Sequence, residues 1–346
     1  MITKEYADFA WQQAEQLLSI DSPSGYTDYA ALWLKSSFEL LGFSTVITTK
    51  GGVLVDLGGE DADDGLMLAA HTDTLGGMVA EVKGSGRLRL TPLGGMNANN
   101  AEAENFRIYT RGGKVLEGTF QLCNASIHVN GDYNSAKRSF DSMEVVLDED
   151  VKSAADTKAL GIEVGDIVCF DPRTRRTPSG YLKSRFLDDK LSVGILLGFA
   201  RYIADNRITL KRKTYIHVTV YEEVGHGGSG SLPQGVTEAI SVDMGCVGNG
   251  LSCTERQVSI CAKDSGGPYS YQVVGKLIDA AKKTEADYAV DVYPYYGSDV
   301  EATLRAGFDI RHGLIGPGVY ASHGYERSHI AGVLNTLKVL CGYLDC

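Results

Sequence analysis

Basic residues are in short supply. Lys and Arg total 33 against 44 Asp and Glu in 346 residues, a formal charge of −11. That deficit argues against general nucleic-acid binding, which needs a cationic face to displace counterions. Cysteine is sparse too: seven residues, an odd count, with no CxxC pair. A disulfide framework is therefore not expected, and a reducing, cytoplasmic setting is. No uninterrupted apolar run reaches the ~18 residues of a membrane span, so no membrane partner is expected. Residues 1–19 read as an acidic amphipathic helix. They lack the basic start and continuous apolar centre of a signal peptide. Internal repeats and low-complexity tracts are absent as well. What is present is ordinary for a folded chain: 43% hydrophobic and 22% charged residues. That much apolar surface offsets chain entropy and rules out a disordered chain. The length suits one large domain or one domain carrying an insertion.

The texture of the chain changes twice. Tyr29, Trp33, Leu34, Phe38 and Leu41 recur at helical spacing, with Gly42 as a stop. Strand-like runs follow at 45–48, 53–57 and 66–70. The last is wholly apolar and ends in His71-Thr72-Asp73, the pattern of a strand buried on both faces that delivers polar groups at its carboxyl end. From about residue 76 to 178 helical periodicity fades. Short β-rich pieces at 87–90, 115–120, 143–147 and 167–170 are separated by Gly, Asn and Asp. Helix and strand then alternate again, with helices at 191–202, 269–283 and 328–344 and strands at 214–221, 239–242, 288–292 and 308–314. The expected architecture is α/β: a mixed-sheet α/β/α domain of residues 1–76 plus 178–346, interrupted by a small β-barrel of residues 77–177.

Polar clusters sit where strands end. Taken singly each has an ordinary explanation: Asp188-Asp189 as a helix cap, Glu222-Glu223 as a surface pair, His323 as a loop residue. Taken together they do not. Glu222-Glu223 follows the apolar run 214–221, Asp243 closes 239–242, and His71 closes 66–70. In an α/β sheet the carboxyl ends of parallel strands gather on one rim, where ligands bind. Carboxylates crowded there repel one another, and desolvation makes the repulsion worse, so a cation is the natural neutraliser. Mixed His and carboxylate donors suit Zn²⁺, Co²⁺ or Mn²⁺ better than Ca²⁺.

A competing motif is Gly225-His226-Gly227-Gly228-Ser229-Gly230, a GxGxxG after a strand, with Asp243 18 residues beyond Gly225. It imitates a dinucleotide fingerprint. Only eight residues separate Gly230 from the next strand, and Pro233 and Gly235 among them break any helix. No crossover helix is left to receive a pyrophosphate, and the two glutamates before the motif would repel it. No GxSxG elbow, Walker A sequence or HExxH helix occurs.

The ordered set His71-Thr72-Asp73-Thr74-Leu75-Gly76, Arg185-Phe186-Leu187-Asp188-Asp189-Lys190, Glu222-Glu223-Val224-Gly225, Val242-Asp243-Met244-Gly245 and Gly297-Ser298-Asp299 resembles the M42 family of metallo-aminopeptidases. The resemblance runs nearly end to end and includes an early Ser22-Pro23-Ser24-Gly25. It implies an exopeptidase fold with a PDZ-like barrel insertion and two divalent ions per subunit, Zn²⁺, Co²⁺ or Mn²⁺. It implies metal ligation by His71, Asp188, Glu223, Asp243 and His323, with Asp188 as the bridge. Glu222 would be the general base, and Asp73 would support His71 through a hydrogen bond. Gly297, Ser298 and Asp299 would contact substrate. The implied substrates are short peptides cut at the N-terminus, and the implied assembly is a homo-oligomer of twelve subunits. Thr74 stands where the family usually has Glu, Val300 follows where it has Ala, and Gly324-Tyr325 replaces Ser-Pro after His323. The last change makes His329 an alternative ligand to His323. The stretch 320–329 resembles a subgroup tied to bacterial osmoprotectant dipeptides, which would mean one small dipeptide or acylated dipeptide as substrate. Two other classes share part of the pattern: a glycoside hydrolase, whose paired carboxylates need no metal, and a metal-binding protein without activity.

Overall fold

The computed structural model describes residues 2–346. The chain divides into two compact units, one made of the residues through Asp73 together with Arg173–Cys346, the other of Thr74–Pro172. The α/β class with an inserted barrel is as the sequence led one to expect. Among the described residues no helix is long and apolar enough to cross a membrane.

The larger unit is built on a mixed sheet. Its centre is strand Asp61–His71, flanked in parallel by Arg212–Thr219 and Val236–Val242, with Arg311–Tyr320 parallel beyond the latter. Val53–Gly58 extends one side antiparallel, and Val258–Asp264 the other. Seven consecutive buried residues end strand Asp61–His71, which explains its unbroken apolar run: both faces are covered. Helices Leu187–Asn206 and Asp299–Arg305 pack on that strand, and helix Lys4–Leu18 lies close against Leu187–Asn206 because glycines meet alanines. A Cβ on Gly194 would fall 2.4 Å from the Ala10 carbonyl oxygen, and one on Gly198 would fall 2.9 Å from the Ala10 Cβ. Lys190 at the start of the long helix is buried and donates to the carbonyls of Leu17 and Ile20 at 3.0 and 2.6 Å.

The register fixes where polar groups emerge. His71 pairs with Thr219, and Val242 with Ile315, so the ends of three parallel strands lie on one rim, beside the middle of Arg311–Tyr320. Two elements differ from expectation there. The C-terminal helix begins at Ile330, because Glu326–His329 forms a strand instead. The run expected at 308–314 is a strand at Arg311–Tyr320. Two glycines of this strand serve a close approach. A Cβ on Gly316 would lie 1.5 Å from the Asp243 carbonyl oxygen, and one on Gly318 would lie 2.2 Å from that of Thr254.

The smaller unit is a closed barrel in the order Gly76–Val82, Leu88–Leu93, Met143–Leu147, Val115–Leu122, Asn105–Tyr109, Ile167–Phe170. Phe106, Phe120 and Phe170 fill it, with ring centroids 5.5 and 4.3 Å apart around Phe106. Alternating burial along Val115–Leu122 is the one-face-in pattern expected of a small barrel. Residues 173–177 fall in the larger unit, where Arg175–Arg176 pairs with Tyr181–Ser184.

Candidate metal centre

Each strand end contributes a polar group, and the loops beyond are held in place by hydrogen bonds. His71 ends its strand, and its Nδ1 lies 2.9 Å from the Asp73 main-chain carbonyl and 3.6 Å from the Asp73 carboxylate. Ser22 donates to the Thr72 carbonyl at 2.7 Å, and Ser24 donates to the Asp73 carboxylate at 2.5 Å. The early Ser-Pro-Ser-Gly segment thus braces the residues that follow the strand. The Asp73 carboxylate also accepts from the backbone N–H of Glu222 at 3.1 Å and of Glu223 at 3.4 Å.

Glu222 and Glu223 occupy a tight turn bounded by left-handed residues, Tyr221 at φ 69° and Gly225 at φ 86°. Glycine is the residue that adopts such a φ at least cost. The turn continues into Gly227, where any Cβ would fall 2.4 Å from the Asp299 Oδ1. Lys50 closes it by donating to the carbonyls of His226 and Gly227 at 2.6 and 2.8 Å. These contacts explain the glycine-rich run without a nucleotide.

Asp188 lies between two histidines. Its Oδ1 is 3.2 Å from His71 Nε2, and its Oδ2 is 3.5 Å from His323 Nε2. His323 Nε2 is also 3.6 Å from Glu223 Oε2, and His71 Nε2 is 3.7 Å from Glu222 Oε2. Two triads have donor atoms close enough to share an ion: His71, Asp188 and Glu223, and His71, Asp189 and Asp243. His329 lies elsewhere. It accepts from the Ala331 N–H at the start of the last helix, and its other ring nitrogen is 2.9 Å from the Ser179 carbonyl.

The electrostatics of the cluster show the strain of collecting anions. Burial, then the charge of neighbouring Asp188, pushes the Asp243 carboxyl up to about 7. Glu223 and Asp189 are driven well above the usual carboxylate range, first by burial and then by neighbouring carboxylates. Burial also raises Glu222 well above that range, against the pull of His71. Asp188 alone is held low: burial opposes its charge, but hydrogen bonds from His323 and His71 outweigh it. His323 is raised to about 10, because Asp188 and Glu223 overcome the cost of burial. Asp189 Oδ1 and Glu223 Oε1 are buried with no hydrogen-bond partner. Buried anionic oxygens without a proton donor, facing histidine nitrogens, are a donor set suited to divalent cations.

Two residues escaped the sequence reading. Asp189 was visible only as the second half of an Asp-Asp pair; its Oδ2 accepts from the His71 N–H at 3.3 Å, its other oxygen is buried without a hydrogen-bond partner, and the carboxylate groups with His71 and Asp243. Glu326, 2% exposed, accepts from the backbone N–H of Asp188 and of His323, each at 3.0 Å. One carboxylate therefore ties together two loops that carry cluster residues. The residues expected at the substrate separate: Gly297 lines the cavity beside the cluster, while Ser298 and Asp299 are buried. Ser298 shares a hydrogen bond with the Tyr269 hydroxyl, and Asp299 accepts from Thr219 at 2.6 Å.

The profile of M42 glutamyl aminopeptidases matches residues 51–339. The chain belongs to the M42 peptidase family. It is 44% identical over 331 residues to YhfE of Bacillus subtilis (strain 168), an aminopeptidase by name, with 96% of each chain covered. The glutamyl aminopeptidase of Lactococcus lactis subsp. cremoris (strain MG1363) is 25% identical over 63% of this chain and 61% of its own. The fold matches the TET aminopeptidase of the archaeon Thaumarchaeota archaeon SCGC AB-539-E09 with a TM-score of 0.88 at 17% identity, covering 98% of this chain and 96% of that one. It also matches the TET1 peptidase of Pyrococcus horikoshii, described as able to form a tetrahedron or a large octahedral shell. There the TM-score is 0.84 at 19% identity, over 97% and 99% of the two chains. As an M42 member the chain is a peptide hydrolase of the aminopeptidase kind.

Proposed function

We propose that this M42 peptidase is a dinuclear metal-dependent aminopeptidase that removes N-terminal residues from short peptides. The reading is carried by Asp188, whose two carboxylate oxygens face His71 and His323 separately, as a carboxylate shared by two cations does. His71, Asp188, Glu223, Asp243 and His323 would hold Zn²⁺ or Co²⁺, with Mn²⁺ as the next candidate, and Asp189 joins them as a sixth donor. When bound, such cations polarise a scissile carbonyl and acidify water.

The chain's own residues divide the remaining work. Glu222 takes the proton of the attacking water and returns it to the leaving amine. The Asp73 carbonyl fixes the ring of His71, while its carboxylate aims the Glu222 turn through two N–H groups. The anionic surroundings favour the cationic α-amino end of a peptide, which supports exopeptidase over endopeptidase action. The subunit is proposed to work in the cytoplasm, in keeping with seven cysteines that are all free, and as a homo-oligomer of twelve subunits, testable by light scattering of the purified protein.

Chelation is the direct test. Dialysis against 1,10-phenanthroline is expected to abolish hydrolysis of aminoacyl p-nitroanilides, with Zn²⁺ or Co²⁺ restoring it. Full activity of the chelated protein would end the proposal, and a β-glucanase activity surviving chelation would favour the glycosidase class.

Glu326 offers a second test that reads metal affinity rather than turnover. Glu326→Ala frees the Asp188 and His323 backbones, and is expected to weaken binding of Zn²⁺ by the ~10–100-fold that loss of an outer partner costs. Isothermal titration of the metal-free protein checks this; an unchanged dissociation constant would show that the clamp is not needed.

A further inference from the structure

The cavity at the cluster measures about 470 Å³. Apart from the cluster residues its lining is uncharged, with Met244 and Cys246 from one segment and Tyr296 and Gly297 from another, while Tyr295 at the same cavity is 92% exposed. Among the described residues no lysine or arginine lines it. Lys50, which lies on the far side of the Glu222 turn, already donates to two carbonyls.

The wall is built before any substrate arrives. The Tyr296 hydroxyl donates to the Met244 carbonyl at 2.9 Å, joining the two segments. The Tyr296 N–H donates to Ser265 Oγ at 2.9 Å, and the Ser265 N–H returns a bond to the Tyr296 carbonyl at 3.1 Å. Buried Tyr293 anchors the stretch below, through a 2.5 Å hydrogen bond between its hydroxyl and Ser259. A pocket held this firmly selects by its fixed chemistry rather than by rearrangement.

Three kinds of side chain can be tried in it. A glutamate would lose water, gain no cationic partner and lie beside the carboxylates of the cluster. A lysine would meet only carboxylates already needed for cations. A neutral apolar, thioether or aromatic side chain would meet Met244, Cys246 and the Tyr296 ring at no such cost.

We propose that Met244, Cys246 and Tyr296 form a specificity pocket for a neutral apolar N-terminal residue (Leu, Met or Phe), so that this M42 enzyme is not a glutamyl or lysyl aminopeptidase. The inference rests on the aminopeptidase reading above and adds the substrate class to it.

The test is a panel of Leu, Met, Phe, Glu and Lys p-nitroanilides with the metal-loaded enzyme. The apolar anilides are expected to exceed Glu and Lys in kcat/KM by about 100-fold, the scale of discrimination when a charge must be buried unpaired. A mirrored pair of variants locates the cause. Cys246→Lys is expected to raise the Glu/Leu ratio at least tenfold, and Cys246→Asp to raise the Lys/Leu ratio similarly. Because ratios are read, general loss of activity does not blur the result. Calorimetric binding of free leucine against free glutamate gives the same comparison without turnover. A panel led by Glu or Lys would overturn this inference alone. Ratios unmoved in both variants would remove Cys246 and its wall as the determinant. No turnover of any anilide, with metal content verified, would overturn the aminopeptidase reading and this inference together.

Discussion

Glu222→Gln will lower kcat by roughly 10²–10⁴-fold, the usual contribution of a positioned general base, while leaving the metal content of the protein unchanged. The two adjacent glutamates are chemically identical, and their surroundings separate them. The Glu223 side chain is 4% exposed and lies 3.6 Å from His323, with one oxygen that has no partner. The Glu222 side chain is 16% exposed, lines the same cavity and lies 3.7 Å from His71. In the proposed mechanism the first would serve as a ligand and the second, the more exposed, as the group that exchanges a proton. Burial raises the Glu222 pKa well above the ordinary range, and a base that must also give its proton back works best when its pKa is near the working pH. Glutamine keeps the shape and removes only that capacity. Metal analysis alongside steady-state kinetics checks both halves; retained turnover would refute Glu222 as the base, and lost metal would make it a ligand.

Much of this centre was legible in the sequence because its residues sit where strand patterns stop. His71 and Asp243 each close an apolar run, and the register that brings those runs together is a property of parallel sheets. The barrel was legible as a change of period from helical to alternating. The illegible parts act through the backbone. Glu326 serves two main-chain N–H groups from positions 138 residues and three residues away, and no side-chain pattern marks such a role. Asp189 has its own function only because its neighbour has a different one. Gly316 is the residue that lets Arg311–Tyr320 pass against the Asp243 carbonyl. Close approach of two distant backbones is a tertiary fact, and a single chain read in order does not display it.

Asp188→Asn should have the larger effect on metal binding, and a smaller one on the metal-free protein. In the native chain each Asp188 oxygen faces a histidine, at 3.2 and 3.5 Å. An asparagine can present oxygen to only one of them and must turn its NH₂ toward the other. The bridge is then lost as well as the charge. Affinity for the pair of ions is expected to fall by more than the ~10–100-fold assigned to an outer partner, and peptide hydrolysis with it. Without metal the variant loses the hydrogen bonds that His323 and His71 give the Asp188 carboxylate and that hold its pKa low against burial, and gains only partial relief of Asp243 and Glu223. A carboxylate whose pKa is depressed in the fold contributes stability above that pKa, so the metal-free variant should melt below metal-free wild type at neutral pH, a difference that fades as the pH falls through the carboxylate range. Because a ligand stabilises the fold in proportion to RT ln(1 + [L]/Kd), added Zn²⁺ should raise Tm in wild type and scarcely at all in the variant. Calorimetric scans of both proteins, with and without Zn²⁺, separate the two effects: the Zn²⁺-induced rise reads the metal centre, and the metal-free Tm reads the lost hydrogen bonds. An equal Zn²⁺-induced rise in the two proteins would remove Asp188 from the metal centre.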